Sequence, residues 1–168
     1  MKEKSSPLAY VALGSNLGDS AGQVQRAMEK LEALSTRPLV RSTLWRSKPV
    51  DCPAGSPDFV NAVVGLAPRR GETPETLLAK LQAMEREFGR QPKRVMNEAR
   101  TLDLDLIAWG DKRRRGAKLR LPHPRAHERK FVLQPLAEIA PDLVLPGRRE
   151  TVFQLLAGMG GEVLLAAG

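Results

Sequence analysis

Residues 100–106 read Arg-Thr-Leu-Asp-Leu-Asp-Leu, and this strict alternation leaves room for little besides a β-strand with one buried face. Side chains in a strand change face at every residue, so Leu102, Leu104 and Leu106 point into a core. Thr101, Asp103 and Asp105 share the opposite face. With ~3.3 Å of rise per residue, the two carboxylates lie about 6.5 Å apart along the strand. Like charges that close repel unless a cation sits between or above them. Hard cations such as Mg²⁺ take oxygen ligands and commonly use one or two carboxylates together with substrate phosphates. The strand reads as a platform for metal and phosphate, against the plainer alternative of a solvated polar face.

Charge distribution favours the platform. The chain of 168 residues carries 27 Lys+Arg and 19 Asp+Glu, a net +8. Residues 86–130 hold 14 basic and 6 acidic residues, also +8, and the 13 of each elsewhere cancel. A positive field concentrated around paired aspartates attracts polyanions, and nucleotide phosphates carried with Mg²⁺ suit both charges. The Arg113-Arg114-Arg115 run, taken alone, is more simply a solvated hairpin tip.

The length suits one domain, 1–168, with a single substantial core. No segment is long or apolar enough to span a bilayer, and residues 1–7 lack the apolar region of a secretory signal. The single cysteine, Cys52, cannot form an internal disulfide, and no Cys/His cluster suggests zinc. A cytoplasmic enzyme or binding module is expected.

Residues 8–13 form a short apolar run ending in the turn Gly14-Ser15-Asn16-Leu17-Gly18-Asp19. A helix follows, with Ser20 and Gln23 as a capping box and Val24, Ala27, Met28, Leu31 and Leu34 as its stripe. Residues 39–47 and 59–66 read as strands, separated by a long proline-containing loop over 48–58. In the second of them, Val60, Ala62, Val64 and Leu66 face the core, and Phe59 and Asn61 face away. Thr73-Pro74 is a helix start, Leu77, Leu81, Met84 and Phe88 the stripe, and Gly89 the stop. A basic loop over 90–99 leads into the aspartate strand. A basic-tipped hairpin, Leu121-Pro122-His123-Pro124 and short helices near 131–140 and 151–156 complete the chain. The order β-α-β-β-α-β predicts an α+β, ferredoxin-like sandwich. It has a four-stranded antiparallel sheet with helices on one face, plus a C-terminal hairpin and short helices. Phe59, Asn61, Asp103 and Asp105 share the other face.

Several segments together resemble the 6-hydroxymethyl-7,8-dihydropterin pyrophosphokinase family. They are Gly14-Ser15-Asn16-Leu17-Gly18, Phe59-Val60-Asn61-Ala62, residues 100–106, Leu121-Pro122-His123-Pro124, residues 129–136 and Glu138-Ile139-Ala140-Pro141. The resemblance runs from about residue 9 to 146, and the joint order of the segments makes it specific. It implies transfer of the terminal diphosphate of ATP to the pterin's hydroxymethyl oxygen, with release of AMP, in tetrahydrofolate biosynthesis. By position, Asp103 and Asp105 would bind two Mg²⁺ ions, and Arg90 and Arg100 would contact phosphate oxygens during the reaction. His123 and Arg129 fall at ATP phosphate positions, while Gln82, Glu85, Leu106, Lys118 and Arg120 fall near the nucleotide. Phe59 and Phe131 would sandwich the pterin, with Asn61, Ser47 and Val50 completing its pocket. Small-molecule substrates, no nucleic acid or membrane partner, and a monomer are expected.

The pterin reading also has chemical sense. A flat ring with an alternating donor and acceptor edge suits an Asn amide and stacks on aromatic rings. Each residue alone has a duller role: Phe131 or Phe59 in a core, His123 in a turn, the arginines at the surface. The chain departs from the family at residues 96–100, where many relatives carry Arg-Trp-Gly-Pro-Arg and this sequence has Met-Asn-Glu-Ala-Arg. Pro124 stands where a second aromatic often follows the histidine, and Lys48 replaces a proline. These changes should alter loop energetics and leave the chemistry in place. The rival reading is an RNA-binding module of the same topology, suited by the +8 charge. Against it stand 4% aromatic content and the paired aspartates, which would repel a phosphate backbone.

Overall fold

The computed structural model of the chain describes residues 7–49, 54–89, 101–161 and 164–167. Strand β1 (Ala9–Ser15) leads to helix α1 (Ser20–Glu32), then to the short strands β2 (Val40–Arg41) and β3 (Trp45–Ser47). Strand β4 (Phe59–Leu66), helix α2 (Pro74–Glu87) and strand β5 (Asp103–Trp109) follow. The small hairpin β6 (Arg114–Arg115) and β7 (Arg120–Leu121) precedes α3 (Lys130–Ile139), α4 (Val152–Ala157) and β8 (Leu165–Ala166). The main sheet runs β5-β1-β4-β3-β8, with β2 also on β4, and every pairing is antiparallel.

The alternation seen in the sequence sorts the sheet's two faces. Leu13, Ala62, Val64 and Leu104 pack with Val24 and Leu31 of α1 and Leu77 and Leu81 of α2. On the other face Val63, Ile107 and Ala108 pack with Leu133 and Leu136 of α3 and Val152 of α4. The two helices of the ferredoxin-like unit thus share one face, and the short C-terminal helices cover part of the other. Beyond that cover the second face opens toward the first residues of β4 and β5.

Local chemistry departs from the sequence reading at three points. Asp19, not Ser20, caps α1: its carboxylate accepts from Gly22 N at 3.2 Å. A side chain at residue 22 would collide with that carboxylate, so glycine makes room for the cap. Gln23 instead donates to Leu17 O at 2.8 Å. The strand expected over 39–47 is split because Ser42 Oγ accepts from Val63 N at 2.9 Å and takes the place of a main-chain partner. Arg114 and Arg115 form a strand of the small hairpin, and residues 116–119 make its turn. The N-cap at Thr73 and the positive-φ stop at Gly89 are as the sequence predicts, and Thr76 completes a capping box with Thr73.

Candidate active site

Register places the site. Trp45, Asn61, Gly14 and Asp103 stand side by side across β3, β4, β1 and β5. Val63, Ala12 and Asp105 form the neighbouring row, where the α3–α4 packing begins. Residues opposite one another in an antiparallel pair share a face, so Asn61 and both aspartates lie on the half-open side. Glycine and alanine beside the two aspartates leave their carboxylates laterally uncrowded. Two half-buried carboxylates flanked by small residues are a donor set suited to a hard divalent cation.

One flank of this row combines a buried amide with aromatic neighbours. Asn61 and Ser47 are both buried, and Asn61 Nδ2 donates to Ser47 Oγ at 2.6 Å. Ser47 pairs across the ladder with half-buried Phe59. A Cβ on Gly14 would touch Asn61 Oδ1 and the Phe59 ring, so the bare backbone keeps a shallow floor beneath them. Asn16 fixes the approach to Phe59 by donating to Pro57 O at 3.3 Å. Phe131 opens α3, half-buried, with the Arg129 guanidinium 5.6 Å from its ring centre.

The other flank is cationic. A β-bulge opposite Tyr10 and Val11 leaves Ile107 as an extra residue on β5, and its carbonyl accepts from His123 N at 2.8 Å. This bond sets the Pro122-His123-Pro124 segment against the aspartate strand. Arg125 N donates to His123 Nδ1 at 3.2 Å, which leaves Nε2 to carry the proton of the neutral ring. Burial lowers the imidazole pKa, Arg129 and Arg125 lower it further, and Asp103 opposes them. A cleft of about 230 Å³ beside β5 is lined by Asp105, Leu106, Lys118, Arg120 and His123, with Leu78 and Leu119 as apolar walls.

The structure therefore brings together Asp105, Leu106, Lys118, Arg120 and His123 in one cleft, and Asn61 with Ser47 beside Phe59. Arg129 joins the groups by lying near both His123 and Phe131. Glu85 is buried, and its Oε2 accepts from Leu104 N at 2.8 Å, fixing the start of the aspartate strand. Gln82 is exposed on α2, and neither of these two lines the cleft among the described residues. Arg90, Arg100, Val50, Cys52 and the altered run 96–99 lie outside the described residues. Sequence reading passed over Leu78 and Leu119. Leu78 carried a signal, being an apolar residue just off the α2 stripe. Glu138 was also missed as a positioning group. Its carboxylate accepts from Thr43 N and Oγ1 at 2.9 Å each and from Trp45 Nε1 at 3.1 Å.

Comparison with known proteins gives this geometry its context. Residues 10–141 match the family model of 7,8-dihydro-6-hydroxymethylpterin-pyrophosphokinase. The 2-amino-4-hydroxy-6-hydroxymethyldihydropteridine pyrophosphokinase of Haemophilus influenzae is 43% identical over 139 residues, covering 82% of this chain and 84% of that protein. The Pseudomonas aeruginosa protein of the same name is 43% identical over 141 residues, covering 83% and 85%. Among solved structures, an HPPK-DHPS in complex with substrates aligns with a TM-score of 0.73 at 10% identity, covering 92% of this chain and 45% of that one. The chain thus spans under half of that solved protein, and at such identity the likeness speaks for the fold. The family model covers most of the sequence, and two bacterial relatives match it over more than four-fifths of their own length: the chain belongs to the 7,8-dihydro-6-hydroxymethylpterin pyrophosphokinase family.

Proposed function

We propose that this chain transfers the β,γ-diphosphate of ATP to the hydroxymethyl oxygen of 6-hydroxymethyl-7,8-dihydropterin, giving the pterin diphosphate and AMP in folate biosynthesis. The observation that carries the reading is the position of Asp103 and Asp105 between a cationic cleft and a buried amide with aromatic neighbours. Phosphoryl transfer needs two bound reactants held in line and negative charge neutralised, with little work for a protein base. The pterin oxygen forms a bond to the β-phosphorus as the bond from that phosphorus to the α,β-bridging oxygen breaks. AMP leaves with the electron pair, and the hydroxyl proton passes to solvent.

Asp103 and Asp105 would hold two Mg²⁺ ions, which supply Lewis-acid polarisation of the phosphates when bound. Lys118, Arg120, His123 and Arg129 bind and orient the ATP phosphates, and Arg90 and Arg100 meet charge as it develops. Leu78, Leu106 and Leu119 offer apolar walls to the nucleoside, with Gln82 and Glu85 on the adjacent helix. Asn61, Ser47 and Val50 read the pterin edge, and Phe59 and Phe131 stack on its faces. Monomeric action in the cytoplasm belongs to the same proposal. Among the described residues no helix is long and apolar enough to cross a membrane.

The test is AMP release from ATP and Mg²⁺ with and without the pterin. AMP that requires the pterin supports the reading. Turnover to ADP, or AMP release indifferent to the pterin, overturns it.

A further inference from the structure

The proposed reaction draws on Lys118, Leu119 and Arg120 of the hairpin and leaves its arginines Arg113, Arg114 and Arg115 without a role. A second cleft, of about 400 Å³, is lined by Arg113, Arg114, Arg115 and Arg120 with Leu121, Pro122 and Pro124. Arg115 and Arg120 are direct cross-strand partners. Like charges directly opposite on a two-stranded ladder destabilise it. Arg114 is already neutralised: its Nε donates to Glu75 Oε1 at 2.6 Å, and this bond holds the Glu75 carboxyl below its ordinary range. Arg113, Arg115 and Arg120 make no ion pair among the described residues. Arg113 lies against Gly147, where a side chain would come within 3.5 Å of the guanidinium. Arg113, Arg115 and Arg120 thus line one concavity, and two of them stand directly opposite each other across its hairpin.

We propose that this second cleft is an anion site for a phosphate-bearing small molecule with two or more negative charges. Guanidinium forks match phosphate oxygens two at a time, and such an anion placed between Arg115 and Arg120 turns the cross-strand repulsion into a shared attraction. Arg113 lines the same cleft and adds to its positive charge. The cleft adjoins the first one, since Arg120 and Pro124 line both. An anion here and a phosphate in the first cleft therefore draw on one guanidinium, and this coupling alone rests on the nucleotide reading of that cleft.

The probe is inorganic diphosphate, titrated calorimetrically without metal or nucleotide into the parent chain and into an Arg113→Gln/Arg115→Gln double variant. Both arginines are exposed, and removing Arg115 relieves a repulsion, so the variant should keep or raise its melting temperature. The parent should bind one more diphosphate per chain than the variant, or bind it about tenfold more tightly. An Arg148→Gln/Arg149→Gln control removes the same charge from a neighbouring exposed turn and should change affinity by no more than about twofold. Equal binding by the parent and the Arg113/Arg115 variant overturns the site, as does an equal loss in the control, which would mean a diffuse field. None of these readouts uses catalysis, so failure of the pyrophosphokinase reading would be seen separately, in the AMP assay.

Discussion

At the residue scale the account rests on a few side chains whose surroundings leave them little freedom. If Asp103 and Asp105 hold the cations as proposed, Asp103→Ala and Asp105→Ala should each reduce turnover by at least about a thousandfold. Substantial activity in either variant, measured as AMP formed, would remove that carboxylate from the metal site. Asn61→Ala should weaken pterin binding and leave ATP affinity within about twofold. Equilibrium titration with each ligand decides this, and equal losses would take Asn61 out of the pterin pocket. His123 carries a pH prediction. Its folded pKa is depressed, chiefly by burial, so below the ordinary histidine range the unfolded chain binds more protons than the native one. The associated stability is full above that range and falls as pH drops toward the lowered native value. Melting curves between pH 7.5 and about 5 should therefore slope more steeply for the parent than for His123→Gln. Identical slopes would contradict the assignment.

At the scale of elements, side chains far from any ligand aim the strands and helices that bear the site. Glu85 accepts the Leu104 main-chain N–H and so ties α2 to the strand between the two aspartates. Glu85→Ala leaves a buried donor unsatisfied and should cost about 1–3 kcal/mol in denaturant unfolding. Glu138 clasps Thr43 and Trp45, joining the helix that begins near Phe131 to the strand that ends at Ser47. Glu138→Ala should raise the KM for pterin several-fold with the KM for ATP unchanged, and Glu138→Gln should recover part of the loss. Equal changes in both constants would make Glu138 a general stability residue. This scale was only partly legible in the sequence. The Asp103–Asp105 alternation, the Thr73 cap and the β4 core face follow from local periodicity and could be read directly. Asp19 as the cap of α1, the break at Ser42, the pairing of β8 with β3 and the roles of Glu85 and Glu138 depend on partners distant in sequence. No local pattern encodes those partners.

For the molecule as a whole, charge and topology divide the work. The sheet order sets the ends of β1, β4 and β5 side by side, and the surplus of basic residues over 86–130 surrounds that edge with positive potential. Raising ionic strength should therefore weaken ATP binding and leave binding of the uncharged pterin nearly unaltered. Parallel salt dependence for both ligands would contradict a phosphate-directed field. The neighbourhood of the candidate site, the aspartate strand within a basic stretch, was readable from alternation and charge together, because both are written along the chain. How far α3 and α4 cover the second face was not, because the packing of Leu133 and Leu136 against Val63 and Ile107 is a tertiary choice. That cover matters: it fills the far half of the face and leaves the near half, with Asn61 and the aspartates, for ligands.

The central claim is that a diphosphate moves as a unit, and one measurement follows it directly. ATP radiolabelled at the γ-phosphate is incubated with Mg²⁺, the pterin and the protein, and the products are separated. Label recovered in a pterin diphosphate, with unlabelled AMP formed in equal amount, is the predicted result. Label released as inorganic phosphate alongside ADP would mean that the site cleaves at the γ-phosphorus, and would contradict the account.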